Sequence, residues 1–84
     1  MIRVVIAEDE TYSRERLRDM IAEFPGLQLA GEAGDGQTAI QLIDRLKPEL
    51  AFLDIRMPGA DGFQVLEKIS HQPHVVFITA YDSY

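Results

Sequence analysis

The sequence contains no cysteine, so disulfide bonds and thiolate chemistry are excluded. It also lacks any apolar run that approaches the ~20 residues of a membrane-spanning helix. The apolar stretch at the N-terminus is short and leads directly into Glu8, Asp9 and Glu10, unlike the longer apolar segment of a signal peptide. These absences predict a cytoplasmic protein that does not associate with a membrane.

Positive charge is also scarce in this chain. Its 8 Lys and Arg residues stand against 14 Asp and Glu residues, which gives a net charge of −6. Proteins bind nucleic-acid phosphates through clustered Lys and Arg, whereas Arg14, Arg16 and Arg18 are interleaved with Glu15 and Asp19. We interpret this run as a solvated helix face and expect no direct nucleic-acid binding by this segment.

The pattern of apolar residues predicts one small α/β domain. A chain of 84 residues, 46% of them hydrophobic, is too apolar to be a wholly disordered acidic segment. Short apolar runs that favour buried strands alternate with stretches of helical periodicity. The predicted strands are Ile2–Ala7, Leu27–Ala33, 50–53 and 75–79, and the predicted helices are 12–24, 38–46 and a short one from Phe63. This alternation indicates a parallel sheet with helices on both faces.

Each predicted helix has an apolar stripe that is expected to face the sheet. The stripes are Leu17, Met20, Ile21 and Phe24 in the first helix, Ala39, Ile40, Ile43 and Leu46 in the second, and Phe63, Leu66 and Ile69 in the third. Pro25 with Gly26 ends the first helix, and Pro48 ends the second.

Polar residues that can carry chemistry follow three of the predicted strands. Glu8, Asp9 and Glu10 follow the first strand, Asp54 follows the third, and Thr79 ends the fourth. Ligands of open parallel sheets bind beyond the carboxyl ends of the strands. If the first and third strands are neighbours, the acids converge on one cleft and repel one another unless a cation neutralises them. Oxygen ligands without His or Cys suit Mg²⁺.

A carboxylate beside such an ion can attack phosphorus and form an aspartyl phosphate. Taken singly, each residue has an ordinary explanation, because a strand-end Asp is often a turn residue and acids favour the start of a helix. Their joint placement at the ends of three strands favours a site for phosphate and metal.

Three segments resemble, in order and at the same spacing, the motifs of response-regulator receiver domains of bacterial two-component systems. They are AEDE at 7–10, FLDIRMPGADG at 52–62 and FITA at 77–80. The tail TAYDSY at 79–84 is similar to the subfamily whose output is a LytTR-type DNA-binding domain. The resemblance covers the whole chain and implies a flavodoxin-like fold with a doubly wound parallel sheet of strand order 2-1-3-4-5.

The resemblance implies the composition of a phosphorylation site. Asp54 matches the residue that a sensor histidine kinase phosphorylates, with Mg²⁺ as cofactor. Asp9 matches a direct ligand of that ion, and Glu8 matches the second acid, which acts on the ion through water. Asp54 itself and the backbone carbonyl of Arg56 complete the implied metal ligands.

Four further residues match positions that shape this site in the family. Thr79 matches the hydroxyl that follows the phosphoryl group and starts the conformational switch. Pro58 and Gly59 match residues that shape the loop after Asp54, and Gly62 matches the glycine of close approach before the third helix.

The resemblance also implies what the 84 residues leave out. The family has a fifth strand that ends in a phosphoryl-binding lysine, whereas Lys47 and Lys68 each lie in or after a predicted helix. We therefore expect residues 1–84 to form a receiver fragment of about four strands and three helices, without its output domain. An uncovered fourth strand presents an apolar edge, so self-association is expected.

The function implied is that of a phosphoacceptor in signalling, which is not an enzyme beyond self-catalysed phosphorylation and dephosphorylation. One alternative is an interaction or dimerisation module that works without phosphorylation. Another is a Mg²⁺-dependent phosphohydrolase, but those enzymes usually place a general acid two residues beyond the nucleophile, where this chain has Arg56. His71 and His74 are interpreted as residues of the loop after the third helix, not as a metal pair.

Overall fold

Four strands form one parallel sheet in the computed structural model, which describes residues 1–78. They are β1 (Ile2–Ala7), β2 (Leu27–Ala33), β3 (Leu50–Asp54) and β4 (His74–Ile78). Their order in the sheet is β2-β1-β3-β4, and all three pairings are parallel. The predicted fold class and the first four positions of the predicted strand order are confirmed. The predicted end of the fourth strand, Thr79, lies outside the described residues.

Three helices pack on the two faces of this sheet. They are α1 (Thr11–Ala22), α2 (Gly36–Leu46) and α3 (Gly62–Lys68). Successive strand residues point to opposite faces, so β1 contributes Val5 and Ala7 to the core beneath α2 and α3, and Val4 and Ile6 to the core beneath α1. The sheet therefore has two separate cores, with acidic residues following β1 at the edge between them.

The second helix agrees closely with its sequence pattern. Ala39 and Ile43 are fully buried, and Ile40 and Leu46 pack at the border of the same core. The Asp35 carboxylate accepts a hydrogen bond from the Thr38 amide at 2.8 Å and so caps the N-terminus of α2. Lys47, with φ of 48°, takes the left-handed conformation that ends the helix.

The predicted stripe of the first helix is only partly correct. Ile21 is buried, and Leu17 packs against the same cluster. Met20 and Phe24, however, are exposed. The helix ends at Ala22, so Phe24 follows it in a turn in which its carbonyl accepts from the Leu27 amide. Met20 instead lies at the side of α1 that faces an open groove toward Ile78 at the end of β4.

The predicted stripe of the third helix contains one error. Val65 is fully buried, whereas Phe63 is 55% exposed. The helix has only seven residues. The contacts at its two ends, and not its periodicity, therefore decide which side chains face the sheet. Phe63 still makes a ring contact, because its centroid lies 4.8 Å from that of Phe77 in β4.

The two histidines have structural roles. His71 lies in the loop after α3, where its Nε2 atom is 2.6 Å from the Pro48 carbonyl oxygen. The Asp44 carboxylate of α2 accepts from the amides of Ser70 and His71 at 2.8 and 3.0 Å. The loop interpretation is therefore correct for His71, but His74 is the first residue of β4.

The helices α1, α2 and α3 are too short and too polar to cross a membrane, and residues 1–78 contain no other helix.

The N-terminus of α2 packs closely against the loop that follows β3. A Cβ atom on Gly36 would lie 2.0 Å from the Ala60 carbonyl oxygen, whereas a Cβ atom on Gly26 would meet nothing within 4 Å. We expect Gly36→Ala to destabilise the protein by about 3 kcal/mol, because backbone must move to relieve the overlap. Gly26→Ala is the matched control and should change stability by less than about 0.5 kcal/mol. Denaturant unfolding measures the free energy of unfolding of both variants. Equal values would contradict the prediction, because they would show that the backbone around Ala60 can move at little cost.

Candidate functional site

Three carboxylates come together at the C-terminal edge of the sheet. Strands β1 and β3 pair in a register that aligns Ala7 with Leu53, so the next residues, Glu8 and Asp54, lie side by side. Asp9 follows directly in the chain, and one carboxylate oxygen from each of these three acids lies within 4.8 Å of the others. Topology and register thus assemble the acidic cluster that the sequence predicted.

The two central acids of this cluster are almost removed from solvent. Glu8 and Asp54 are each only 4% exposed, whereas Asp9 is exposed. The Glu8 carboxylate accepts a hydrogen bond from the Glu10 amide at 3.0 Å. The Asp54 carboxylate accepts one from the Arg56 amide at 3.2 Å. Each central acid is therefore held by a backbone N–H of the loop that follows its own strand.

The proximity of these acids changes the titration of Glu8. Burial, with smaller contributions from the Asp54 and Asp9 carboxyls, raises the pKa of Glu8 from 4.5 to about 7, although the Glu10 amide opposes the shift. In the absence of a cation, Glu8 is therefore only partly ionised near neutral pH. A divalent cation would remove this conflict, because it favours the ionised form of all three acids.

The donor set fits a hard cation. The cluster offers three carboxylates, two buried and one exposed, and contains no His or Cys. Mg²⁺ is bound in proteins by one or two carboxylates together with waters and substrate phosphate oxygens. The exposed position of Asp9 leaves the open side of the cluster accessible to such water and phosphate ligands.

The loop after Asp54 is folded tightly beneath the cluster. Gly59 has φ of 84°, a conformation that residues with a side chain rarely adopt. A Cβ atom on Gly62 would lie 2.6 Å from the Asp54 carbonyl oxygen, and the Gly62 amide donates to the Ile55 carbonyl at 2.9 Å. The Pro58 carbonyl accepts from the Gly36 amide at 3.1 Å, which ties this loop to α2.

The third helix begins directly after this loop with a capping box. The Asp61 carboxylate accepts from the Gln64 amide at 2.8 Å, and the Gln64 side chain accepts from the Asp61 amide at 2.9 Å. Asp61 therefore fixes the start of α3.

The structure brings together most of the residues that the sequence predicted for the site. Glu8, Asp9 and Asp54 form the cluster, and Arg56 follows on the exposed surface of the adjoining loop. Thr79, predicted to follow the phosphoryl group, lies outside the described residues, as does the rest of the tail 79–84.

Sequence reasoning missed Arg14, which it assigned to a solvated helix face. The side chain of Arg14 is only 23% exposed, and its Nη1 atom donates to the Glu8 carbonyl at 2.7 Å. The Nε atom lies 3.5 Å from the Glu32 carboxylate of β2. The sequence feature that could have indicated this contact is a positively charged side chain six residues after Glu8, in the first turn of a predicted helix.

Comparison with known proteins matches this chain to one protein family. A profile of the family described as "Response regulator receiver domain" matches residues 4–84. The chain is 41% identical over 87 residues to the positive alginate biosynthesis regulatory protein of Pseudomonas aeruginosa, covering 99% of this chain and 35% of that protein. It is 36% identical over 86 residues to the transcriptional regulatory protein BtsR of Salmonella typhi, covering 100% of this chain and 36% of that protein. The chain thus spans about a third of the length of these relatives.

The fold has a counterpart among solved structures. The response regulator domain of Thermotoga maritima CheB superposes with a TM-score of 0.87 at 28% identity, covering 99% of this chain and 63% of that one.

The raised pKa of Glu8 predicts a pH dependence of stability in the metal-free protein. Because the folded pKa is about 7 and the ordinary value is 4.5, the folded state binds a proton more tightly than the unfolded state. This contribution is fully present below pH 4.5 and is lost as the pH rises through about 7. We expect Glu8→Gln to remove that part of the decline, as measured by thermal unfolding in a chelator across this range.

Glu10→Gln is the matched control, since Glu10 is an exposed neighbour outside the cluster. It should keep the pH dependence of the unmodified protein. Parallel pH profiles for the unmodified protein and Glu8→Gln would contradict the assignment.

Proposed function

The chain belongs to the family of response regulator receiver domains, and on that premise we propose that it accepts a phosphoryl group on Asp54. The observation that carries the proposal is the cluster of Glu8, Asp9 and Asp54, whose oxygens lie within 4.8 Å of one another. Asp54 is the last residue of β3, which lies next to β1 in the sheet. Its carboxylate accepts a hydrogen bond from the Arg56 amide. The donor is a sensor histidine kinase, and residues 1–84 act as part of a receiver domain.

The proposed transfer uses the side chains of the cluster in different ways. An oxygen of the Asp54 carboxylate attacks the phosphorus atom of a phosphohistidine, and the bond from phosphorus to the imidazole nitrogen breaks. The imidazole keeps the electron pair and takes up a proton. Mg²⁺, when bound, offsets the negative charge of the carboxylates and of the transferring group. Asp9, Glu8 and the Arg56 carbonyl would hold the cation. Thr79 would bind the phosphoryl group after transfer.

The loop after β3 supports this chemistry by fixing Asp54. Gly62 allows the start of α3 to approach the Asp54 carbonyl, where a Cβ atom would lie at 2.6 Å. The conformation at Gly59 and the contact from Pro58 to Gly36 hold the rest of the loop against α2. We infer that Pro58, Gly59 and Gly62 keep the nucleophile and the Arg56 carbonyl at a constant separation.

The proposed output is control of transcription. BtsR, one of the relatives above, is named as a transcriptional regulatory protein. The tail 79–84 resembles the LytTR-output subfamily, and this supports a DNA-binding output domain of that type. A transcriptional output in turn supports a place of action in the cytoplasm. The acidic net charge of −6 favours an output domain, and not this segment, as the part that binds DNA.

We expect Asp54→Asn to abolish phosphoacceptor behaviour while leaving the fold intact. Amide resonances in a ¹H–¹⁵N correlation spectrum should shift at Glu8, Asp9 and Asp54 when Mg²⁺ is added, and again when beryllofluoride is added as a phosphoryl mimic. The variant should show no response to beryllofluoride, because it lacks the carboxylate that binds the mimic.

Asp61→Asn is the matched control, because Asp61 lies in the same loop and Asn also caps helices well. It should respond as the unmodified protein does. A folded spectrum that is indifferent to both ligands would contradict the proposal and would favour an interaction module that works without phosphorylation.

We propose in addition that the chain self-associates through β4. Among residues 1–78, β4 pairs with β3 on one side and lies at the end of the sheet. Its residue Val76 is 44% exposed, and apolar strand edges of this kind pair with other strands. A positive charge at this edge should oppose the pairing.

Val76→Lys should therefore lower the mass measured by light scattering at high micromolar concentration. Gln28→Lys is the matched control, since it places the same charge on an exposed residue of β2 at the opposite edge of the sheet. A monomeric mass for the unmodified protein would reject self-association.

A further inference from the structure

We propose that Arg14 is a positioning residue, which fixes the peptide between Glu8 and Asp9 and thereby sets the affinity of the acidic cluster for its cation. The inference rests on the proposed function, because it concerns the same metal site. It assigns a role in that site to a residue of α1 that contributes no ligand atom.

The contacts of Arg14 join three elements at one end of the sheet. Its Nη1 atom donates to the carbonyl oxygen of Glu8, which follows β1, at 2.7 Å. Its Nε atom lies 3.5 Å from the carboxylate of Glu32 in β2. Its own amide donates to the Glu10 carbonyl at 2.9 Å within the first turn of α1. A planar guanidinium can make the Nη1 and Nε contacts together, whereas a Lys ammonium is a single point of charge.

The carbonyl that Arg14 holds belongs to the peptide group joining Glu8 to Asp9. That peptide plane sets the direction in which the chain leaves Glu8, and so it sets where the Asp9 side chain begins. Glu8 is 4% exposed and is fixed by packing, whereas Asp9 is exposed. The position of the Asp9 carboxylate therefore depends more on its backbone than on surrounding side chains. A backbone held at 2.7 Å by a charged donor is well suited to fix it.

A second arginine provides an internal comparison. Arg18 lies one turn further along α1, and its Nε atom is 3.5 Å from the other oxygen of the Glu32 carboxylate. Its side chain is 44% exposed, and its ion pair is with Glu32 of β2, not with the Glu8 carbonyl. The two arginines thus share a partner and a charge, but only Arg14 contacts the backbone of the acidic cluster in residues 1–78.

Electrostatics and positioning predict opposite signs for the loss of Arg14. A positive charge beside the cluster repels Mg²⁺, so its removal should strengthen cation binding if charge alone matters. If Arg14 positions the Glu8–Asp9 peptide, its removal should weaken binding, as the loss of an outer partner of a metal ligand does. The sign of the change therefore separates the two explanations.

The experiment is a Mg²⁺ titration of the intact protein and three variants, Arg14→Gln, Arg14→Lys and Arg18→Gln, followed by amide chemical shifts. We expect Arg14→Gln and Arg14→Lys to weaken Mg²⁺ binding by about tenfold, and Arg18→Gln to change it by less than about twofold because that charge is screened. In the metal-free state, the Arg14 variants should shift the Asp9 amide while the amides of β4 stay in place. Retained shifts in β4 would show that the variants remain folded.

Unchanged or tighter binding in Arg14→Gln would overturn the inference, as would an equal loss in Arg18→Gln. An Arg14→Lys protein that binds as the unmodified protein does would show that the paired guanidinium contacts to Glu8 and Glu32 do not set the affinity, which also overturns it. If the unmodified protein itself fails to bind Mg²⁺, the proposed function fails first, and the inference fails with it. The measurement on the unmodified protein therefore distinguishes these two failures.

Discussion

The adjacency of β1 and β3 is the constraint on which the rest of the site depends. Because these parallel strands are neighbours in register, Glu8 and Asp54 must leave the sheet side by side, and both are buried. Burial, with a smaller contribution from their mutual repulsion, raises the pKa of Glu8 to about 7. A cation relieves this conflict better than any rearrangement of side chains, because the backbone of two paired strands fixes where the acids lie.

The loops that follow these two strands are fixed by different means. The loop after β3 is held by backbone contacts, with Gly62 packed against the Asp54 carbonyl and Gly36 packed against Ala60. The loop after β1 is held by a side chain, since Arg14 reaches from α1 to the Glu8 carbonyl. Glycine residues allow the close backbone contacts of the loop after β3, whereas the long side chain of Arg14 makes the contact to the loop after β1. The loop after β3 thus requires glycine, and the loop after β1 requires a directed hydrogen-bond donor.

Much of the fold could be predicted from the sequence because strand patterns are short and unambiguous here. The apolar run of β1 predicts the burial of Val4–Ala7, although Ile2 at its start is exposed, and the stripe around Ile43 predicts the buried face of α2. The errors arose where tertiary contacts decide, as for Phe63, which lies in a helix too short for its periodicity to define a face. The acids of the site were predictable from their positions after strands. The role of Arg14 was not, because Glu8 and Glu32 become its common neighbours only when β1 and β2 pair.

The repulsion that disfavours the metal-free fold would also be a source of affinity for a cation. Residues 1–84 can bury only a small core, so the free-energy cost of burying two neighbouring carboxylates is large relative to what that core contributes. A cation that binds only the folded state would add stability of RT ln(1 + c/Kd), where c is the free cation concentration. It would act at the ends of β1 and β3, the two strands at the centre of the described sheet. A phosphoryl group on Asp54 would add negative charge to the same place and increase the demand for the cation. The proposed metal binding and phosphorylation would therefore be linked to the stability of the central strands through one cluster of oxygens.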